Sequence, residues 1–140
     1  MPLAGLARAA YWFVFRPRTR GAKVILVNAG EVLLLRHTYE PGLYGLPGGG
    51  LDADEDPIAG LKREVSEELG IELPPLRALG IVESEAEHKR DTVYVFTVEL
   101  ASRDGLRPDP LEIAGVAWKR PGDLPPVGPV TRQIFQLFAS

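Results

Sequence analysis

Hydrophobic positions along this chain follow two different periods. Between residues 57 and 69 they recur at Ile58, Leu61, Val65 and Leu69, the three-and-four spacing of a helix that buries one stripe. Asp56 suits the N-cap, Pro57 the first helical position, and Gly70 a left-handed C-cap. A second amphipathic helix is predicted from Pro129, carrying Val130, Ile134, Leu137 and Phe138. Elsewhere the pattern is β-like. Residues 22–27 and 32–36 read as a hairpin around Asn28-Ala29-Gly30. Residues 76–83 and 92–100 read as two strands flanking the polar turn 86–91, and 116–119 as another strand. Residues 39–50, punctuated by Pro41, Gly42, Gly45, Pro47 and Gly48, predict a loop with a short strand at 43–46, and 102–110 a second loop.

The polar side of the first helix is unusual. Glu64, Glu67 and Glu68 are spaced so that they share a face beside the apolar stripe, with Gly60 one turn before Glu64. Three like charges on adjacent turns repel one another unless a cation lies between them. A glycine inside a helix costs about 1 kcal/mol against alanine, and here it could leave room for a ligand or another backbone. The chain has no cysteine, and its two histidines, His37 and His88, lie outside the helix. Oxygen donors without thiolate or imidazole suit Mg²⁺ or Mn²⁺ better than zinc. The alternative is a solvated acidic helix face.

The wider segment weighs against that alternative. Gly49, Glu55, Arg63, Glu64, Val65, Glu67, Glu68, Gly70 and Ile71 stand at the spacing of the Nudix box, with nothing in it missing. A chance match in a chain of this length is on the order of one in ten million. The chain therefore resembles a Nudix hydrolase. The resemblance implies an α/β fold, an α/β/α sandwich with a mixed central sheet, formed by residues 1–140 as one domain. It also implies a metal-activated water attacking phosphorus in a diphosphate, with Mg²⁺ or Mn²⁺ as cofactor. Glu64, Glu67 and Glu68 would then be catalytic metal ligands, joined by the Gly48 carbonyl. Glu55 and Arg63 would form an ion pair supporting them, a role that suits the guanidinium fork. Glu112 opens EIAGVAWKRPGDLP, which is similar to a further family segment. There it implies an additional metal ligand or the general base, against the simpler reading of a surface acid beginning a strand. Two departures are Asp52, where the loop often carries Glu, and Asp54, where it often carries Gly; they put the loop shape in question.

The substrate is less legible. The resemblance points to a small nucleotide, with a broad nucleoside di- or triphosphate pyrophosphohydrolase as the leading reading. ADP-ribose or a nucleotide sugar, an RNA 5′ end, and a non-catalytic nucleotide-binding regulator are the alternatives; intact box acids count against the last. Candidate substrate contacts are Arg36, His37, Tyr39, Tyr44 and, in the turn EAEHKRD, His88, with Glu83, Glu85 and Glu87 as lesser candidates for the base. Trp118 reads as core rather than as a stacking platform.

Composition narrows the partners. The chain has 140 residues, 45% of them hydrophobic and 25% charged, which suits one soluble domain with its own core. A net charge of −3 argues against a nucleic-acid groove. No apolar run reaches membrane-spanning length, and the absence of cysteine fits a reducing, cytoplasmic compartment. Residues 1–21 combine arginines with the cluster Tyr11-Trp12-Phe13-Val14-Phe15. That segment is expected to pack on the domain or at a homodimer seam, with its arginines left in water.

Overall fold

The computed structural model describes residues 19–84 and 91–138. The aromatic N-terminal cluster, Glu85, Glu87 and His88 lie outside the described residues. Six strands form one sheet: β1 (Thr19–Asn28), β2 (Glu31–His37), β3 (Gly48–Gly50), β4 (Arg77–Ser84), β5 (Asp91–Glu99) and β6 (Ile113–Lys119). Helices α1 (Pro57–Leu69) and α2 (Pro129–Phe138) complete the described elements. The strand order is β4-β5-β1-β2-β6, with β3 added beside β1. Strands β1 and β5 run parallel over nine paired residues, Thr19↔Asp91 to Val27↔Glu99. The other pairings are antiparallel, so the sheet is mixed, as expected.

Alternation in β1 divides the core in two. Ala22, Val24 and Leu26 join Leu61, Val65 and Leu69 of α1, while Ile25 joins Val82, Val95, Ile134 and Phe135 on the side of α2. One helix layer thus covers each face, the α/β/α sandwich. Strands β2 and β3 both use the same edge of β1. Strand β2 pairs only at Val27↔Val32 and Asn28↔Glu31, joined by a two-residue turn with φ of 53° at Ala29 and 79° at Gly30. Strand β3 pairs with Gly21, Ala22 and Lys23 at the opposite end of β1. Where β2 diverges, residues 45–50 fill the space between the two strands: Leu35 and Gly45 exchange backbone hydrogen bonds, and the Val24 N–H donates to the Pro47 carbonyl.

Several sequence expectations shift. The strand at 43–46 is reduced to single bridges, Leu35↔Gly45 and Tyr44↔Val127, and the paired segment is Gly48–Gly50 instead. Gly48 has φ of 124°, and a Cβ there would overlap the Ala22 carbonyl oxygen, so only glycine permits this approach. Ile58 is 40% exposed rather than part of the stripe, and Leu51 is buried in the α1 cluster from the loop before the helix. The room left by Gly60 is filled by the side chains of Leu51 and Glu55. In α2 the buried positions are Thr131, Ile134 and Phe135, while Leu137 is exposed. Strand β6 begins at Ile113 because its pairing with β2 extends to His37. No helix among the described residues is long and apolar enough to cross a membrane.

Candidate active site

Helix α1 begins and ends as its sequence dictates: the Asp56 carboxylate accepts from the Ala59 N–H, and Gly70 takes φ of 67°. Its 3.6-residue period then aims Glu64 and Glu68 beneath β3. Both are buried, with exposures of 6% and 1%. Glu68 is held from two sides. Its Oε1 accepts from the Gly48 N–H at 3.0 Å, and its Oε2 lies 3.0 Å from His37 Nε2. Glu64 Oε1 accepts from Arg63 Nη1 at 2.9 Å. A Cβ on Gly49 would sit 2.7 Å from Glu64 Oε2, so the first box glycine makes room for the carboxylate. Glu67 is half-buried, 3.7 Å from Arg63 Nη1.

Arg63 grips Glu55 with both arms of its fork, Nε to Oε2 and Nη2 to Oε1, each at 2.9 Å. The Glu55 bond is the main reason its guanidinium is held even more firmly protonated than usual. Glu55 Oε1 also accepts from the Asp52 N–H, and Arg20 Nη2 donates to the Glu55 carbonyl while its guanidinium lies over the Tyr94 ring. Asp54 adopts φ of 64°, the left-handed conformation that glycine would supply at that position. The loop question is thereby answered: Asp54 takes the turn without glycine.

Glu112 reaches the site through the other end of α1. The last carbonyls of the helix, of Glu68 and Leu69, accept from the Asp109 and Arg107 N–H groups. Asp109 in turn accepts from Leu111, Glu112 and Ile113, shaping the turn into β6. Thr38, next to His37, donates its N–H to the Glu112 carbonyl at 2.9 Å. The Glu112 side chain is no surface acid: it is 4% exposed. Its Oε2 is buried with no hydrogen-bond partner among the described residues.

The electrostatics tie these groups together. Burial, then Glu68, pushes the Glu64 carboxyl up to about 7, against the opposing pull of Arg63. Burial, then Glu68, Glu64 and Glu67, pushes Glu112 up to about 8. Tyr39, 37% exposed, has its hydroxyl held well above the usual tyrosine range by burial and by Glu68, Glu64 and Glu112. Three carboxylates from two distant segments therefore feel one another strongly. That accumulation, and the unsatisfied Glu112 oxygen, fit a divalent cation. Among the described residues no three Asp, Glu or His side chains converge tightly enough to hold a metal ion by themselves. Mg²⁺ does not require that, since it typically takes one or two carboxylates with water and phosphate oxygens.

The other candidates divide. His37 is buried against Glu68, and Tyr39 stands beside it with ring centroids 5.1 Å apart. Arg36 is directed along β6, its Nη2 3.4 Å from the Ala114 carbonyl, instead of toward the acids. Tyr44 packs on the α2 side of the sheet. Trp118 packs against the α1 cluster under the Arg103 guanidinium, as expected of a core residue. Sequence reasoning missed Lys23. Its Nζ donates to the carbonyls of Leu46 at 3.2 Å and Gly48 at 3.4 Å, so the Gly48 oxygen already faces a positive charge. A lysine inside the apolar run AKVILV was the available signal. Arg20, which bridges β1 to the box loop, carries no local signal of that contact.

Comparison with known proteins bears on the family and the fold. The NUDIX domain family model matches residues 17–138. Diphosphoinositol polyphosphate phosphohydrolase 2 of Mus musculus is 41% identical over 68 residues, which is 49% of this chain and 38% of that protein. The chain thus spans well under half the length of that relative. The crystal structure of a MutT NUDIX hydrolase from Burkholderia pseudomallei superposes with a TM-score of 0.76 at 28% identity, covering 86% of this chain and 97% of that one. The NUDIX domain of Shewanella oneidensis NrtR, solved with ADP ribose, shares the fold with a TM-score of 0.73 at 21% identity, covering 92% and 94%.

Proposed function

The chain belongs to the NUDIX domain family, and on that premise we propose that it hydrolyses a diphosphate bond in a small nucleoside diphosphate-linked molecule, using Mg²⁺ or Mn²⁺. The observation that carries this reading is the burial of Glu64, Glu68 and Glu112 in one another's fields, with Glu64 pushed up to about 7 and Glu112 to about 8. Such repulsion destabilises the fold unless a cation or a proton answers it. In this reading Glu64, Glu67 and Glu68 of α1, the Gly48 carbonyl and Glu112 hold the metal. When bound, the cation neutralises phosphate oxygens and makes an attacking water more acidic.

The chain's own residues supply the rest. The Gly48 N–H and His37 fix Glu68, while Arg63 fixes Glu64 and braces the box loop through Glu55. Glu112 Oε2, buried and without a donor among the described residues, accepts the proton of the attacking water. Burial and then the neighbouring carboxylates hold a proton on Glu112; with a cation bound beside the cluster that repulsion would be offset, leaving Glu112 ionised and able to accept. Tyr39, partly exposed beside the acids, offers a ring to the departing or retained half of the substrate.

The test is phosphate release from a panel of nucleoside di- and triphosphates, ADP-ribose and nucleotide sugars with Mg²⁺, comparing the wild type with Glu68→Gln. Turnover should fall by roughly three orders of magnitude or more in the variant and vanish with chelator. Unchanged turnover in either case would sink the assignment. One second reading has its own support: 41% identity over 68 residues to a diphosphoinositol polyphosphate phosphohydrolase makes that chemistry a member of the same panel. Preferential cleavage of a diphosphoinositol polyphosphate over every nucleotide would select it.

A further inference from the structure

We infer that His37 is a positioning residue for the cation site, fixing the carboxylate of Glu68 from the sheet side while its neighbour Thr38 fixes Glu112. The inference rests on the metal-dependent reading above and adds to it a residue from outside the box. His37 ends β2 and pairs with Ile113 across a register shift between Arg36 and His37. The inserted residue is Ala114 of β6, so alternation along β2 is unbroken and carries His37 to the face of Leu33 and Leu35, toward α1. There it is 4% exposed and its Nε2 lies 3.0 Å from Glu68 Oε2. Arg36, on the other side of the shift, runs along β6 instead.

Two features separate this from an ordinary core histidine. First, Glu68 is nearly inaccessible and its other oxygen is occupied by the Gly48 N–H. With one donor on each oxygen, the carboxylate can neither rotate nor retreat, and each oxygen keeps a lone pair for a cation. An ionised Glu68 can only accept, so Nε2 carries the proton in this pair. Second, the next residue reaches the other acid segment. The Thr38 N–H donates to the Glu112 carbonyl at 2.9 Å, and its hydroxyl donates to Leu111 at 2.8 Å. The dipeptide His37-Thr38 therefore sets the separation between an acid on α1 and an acid at the start of β6. Groups that orient metal ligands commonly change metal affinity 10- to 100-fold when removed.

The experiment measures binding of Mn²⁺ alone, from the electron paramagnetic resonance signal of the free ion, to wild type, Glu68→Gln, His37→Leu, His37→Gln and His37→Asn. Thermal melts of each protein without metal check folding. The Gln amide places a donor near the position of Nε2, whereas the shorter Asn amide falls near Nδ1 and does not reach Glu68. Affinity should fall about 10- to 100-fold in His37→Leu and His37→Asn, and stay within about threefold of wild type in His37→Gln. Wild-type affinity in His37→Leu, or equal losses in His37→Gln and His37→Asn, would overturn the role of His37 while leaving the metal site intact. Should His37→Leu not fold, the Gln and Asn pair decides alone. If the wild type itself binds no Mn²⁺ and Glu68→Gln behaves identically, the underlying site reading falls, and this inference with it.

Discussion

Glu64 and Glu112 hold their protons to about 7 and about 8, well above the ordinary 4.5 of an exposed glutamate, because both are buried near Glu68. A raised folded-state value has a definite sign. The unfolded chain releases these protons first as the pH climbs past about 4.5, so stability is present below that value. It is lost as pH rises through the folded values near 7 and 8. Metal-free protein should therefore melt higher at pH 5.5 than at pH 8.5, and Mg²⁺ should stabilise most at the upper end. Other groups also titrate, so the informative comparison is with Glu112→Gln, which removes one buried charge. Calorimetry with chelator should show that variant melting at least about 3 °C above wild type at pH 8.5, a gain on the order of 1 kcal/mol. At pH 5, where Glu112 is already neutral, the two should coincide. A Glu112→Gln protein no more stable than wild type at pH 8.5 would mean that Glu112 feels no such repulsion.

At the scale of elements, the box helix was the most legible part of the chain. Its N-cap, proline start, left-handed glycine end and acid spacing are all local chemistry, and all are found in the structure. What the sequence could not disclose were approaches between elements. Gly60 is the clearest instance. It lies on the acidic side of the helix, yet its missing side chain is filled by Leu51 Cδ2 and, about 3.0 Å from a built Cβ, by Glu55 Cδ. That is packing between loop and helix, invisible to a helical period. Gly60→Ala sets two effects against each other. Helix propensity gains about 1 kcal/mol, whereas overpacking costs about 1–3 kcal/mol and pushes on the partner of Arg63. Packing should win, lowering the urea midpoint and displacing the Glu55–Arg63 pair; a raised midpoint would show that Leu51 yields freely. The roles of His37 and Lys23 were hidden for a similar reason: each meets a partner on another element that only the assembled fold brings near. Glu112 was found only through a family segment, since nothing local in its surroundings announces burial.

Taken as a whole, the molecule brings together the candidate site from segments far apart in the chain: the end of β2, the glycines of β3, helix α1 and the turn before β6. The sheet supplies the first two, β2 and β3 pairing with opposite ends of the same edge of β1. The turn is attached more lightly, through Asp109 and Arg107 N–H groups on the last carbonyls of α1 and through Thr38. Hydrogen bonds at a helix end fray more readily than those inside a sheet. A cation shared by Glu68 and Glu112 would close the arrangement by joining the turn to the helix through side chains as well as backbone. Amide exchange at Leu111, Glu112 and Ile113, whose N–H groups are all donated to Asp109, reports on that closure. Saturating Mg²⁺ should slow exchange at these three amides roughly tenfold in wild type, equivalent to about 1.4 kcal/mol against local opening. The effect should disappear in Glu112→Gln while amides within β1 and β5 remain unchanged. Equal protection by Mg²⁺ in wild type and variant would place the cation wholly on α1, and leave Glu112 to act on water alone.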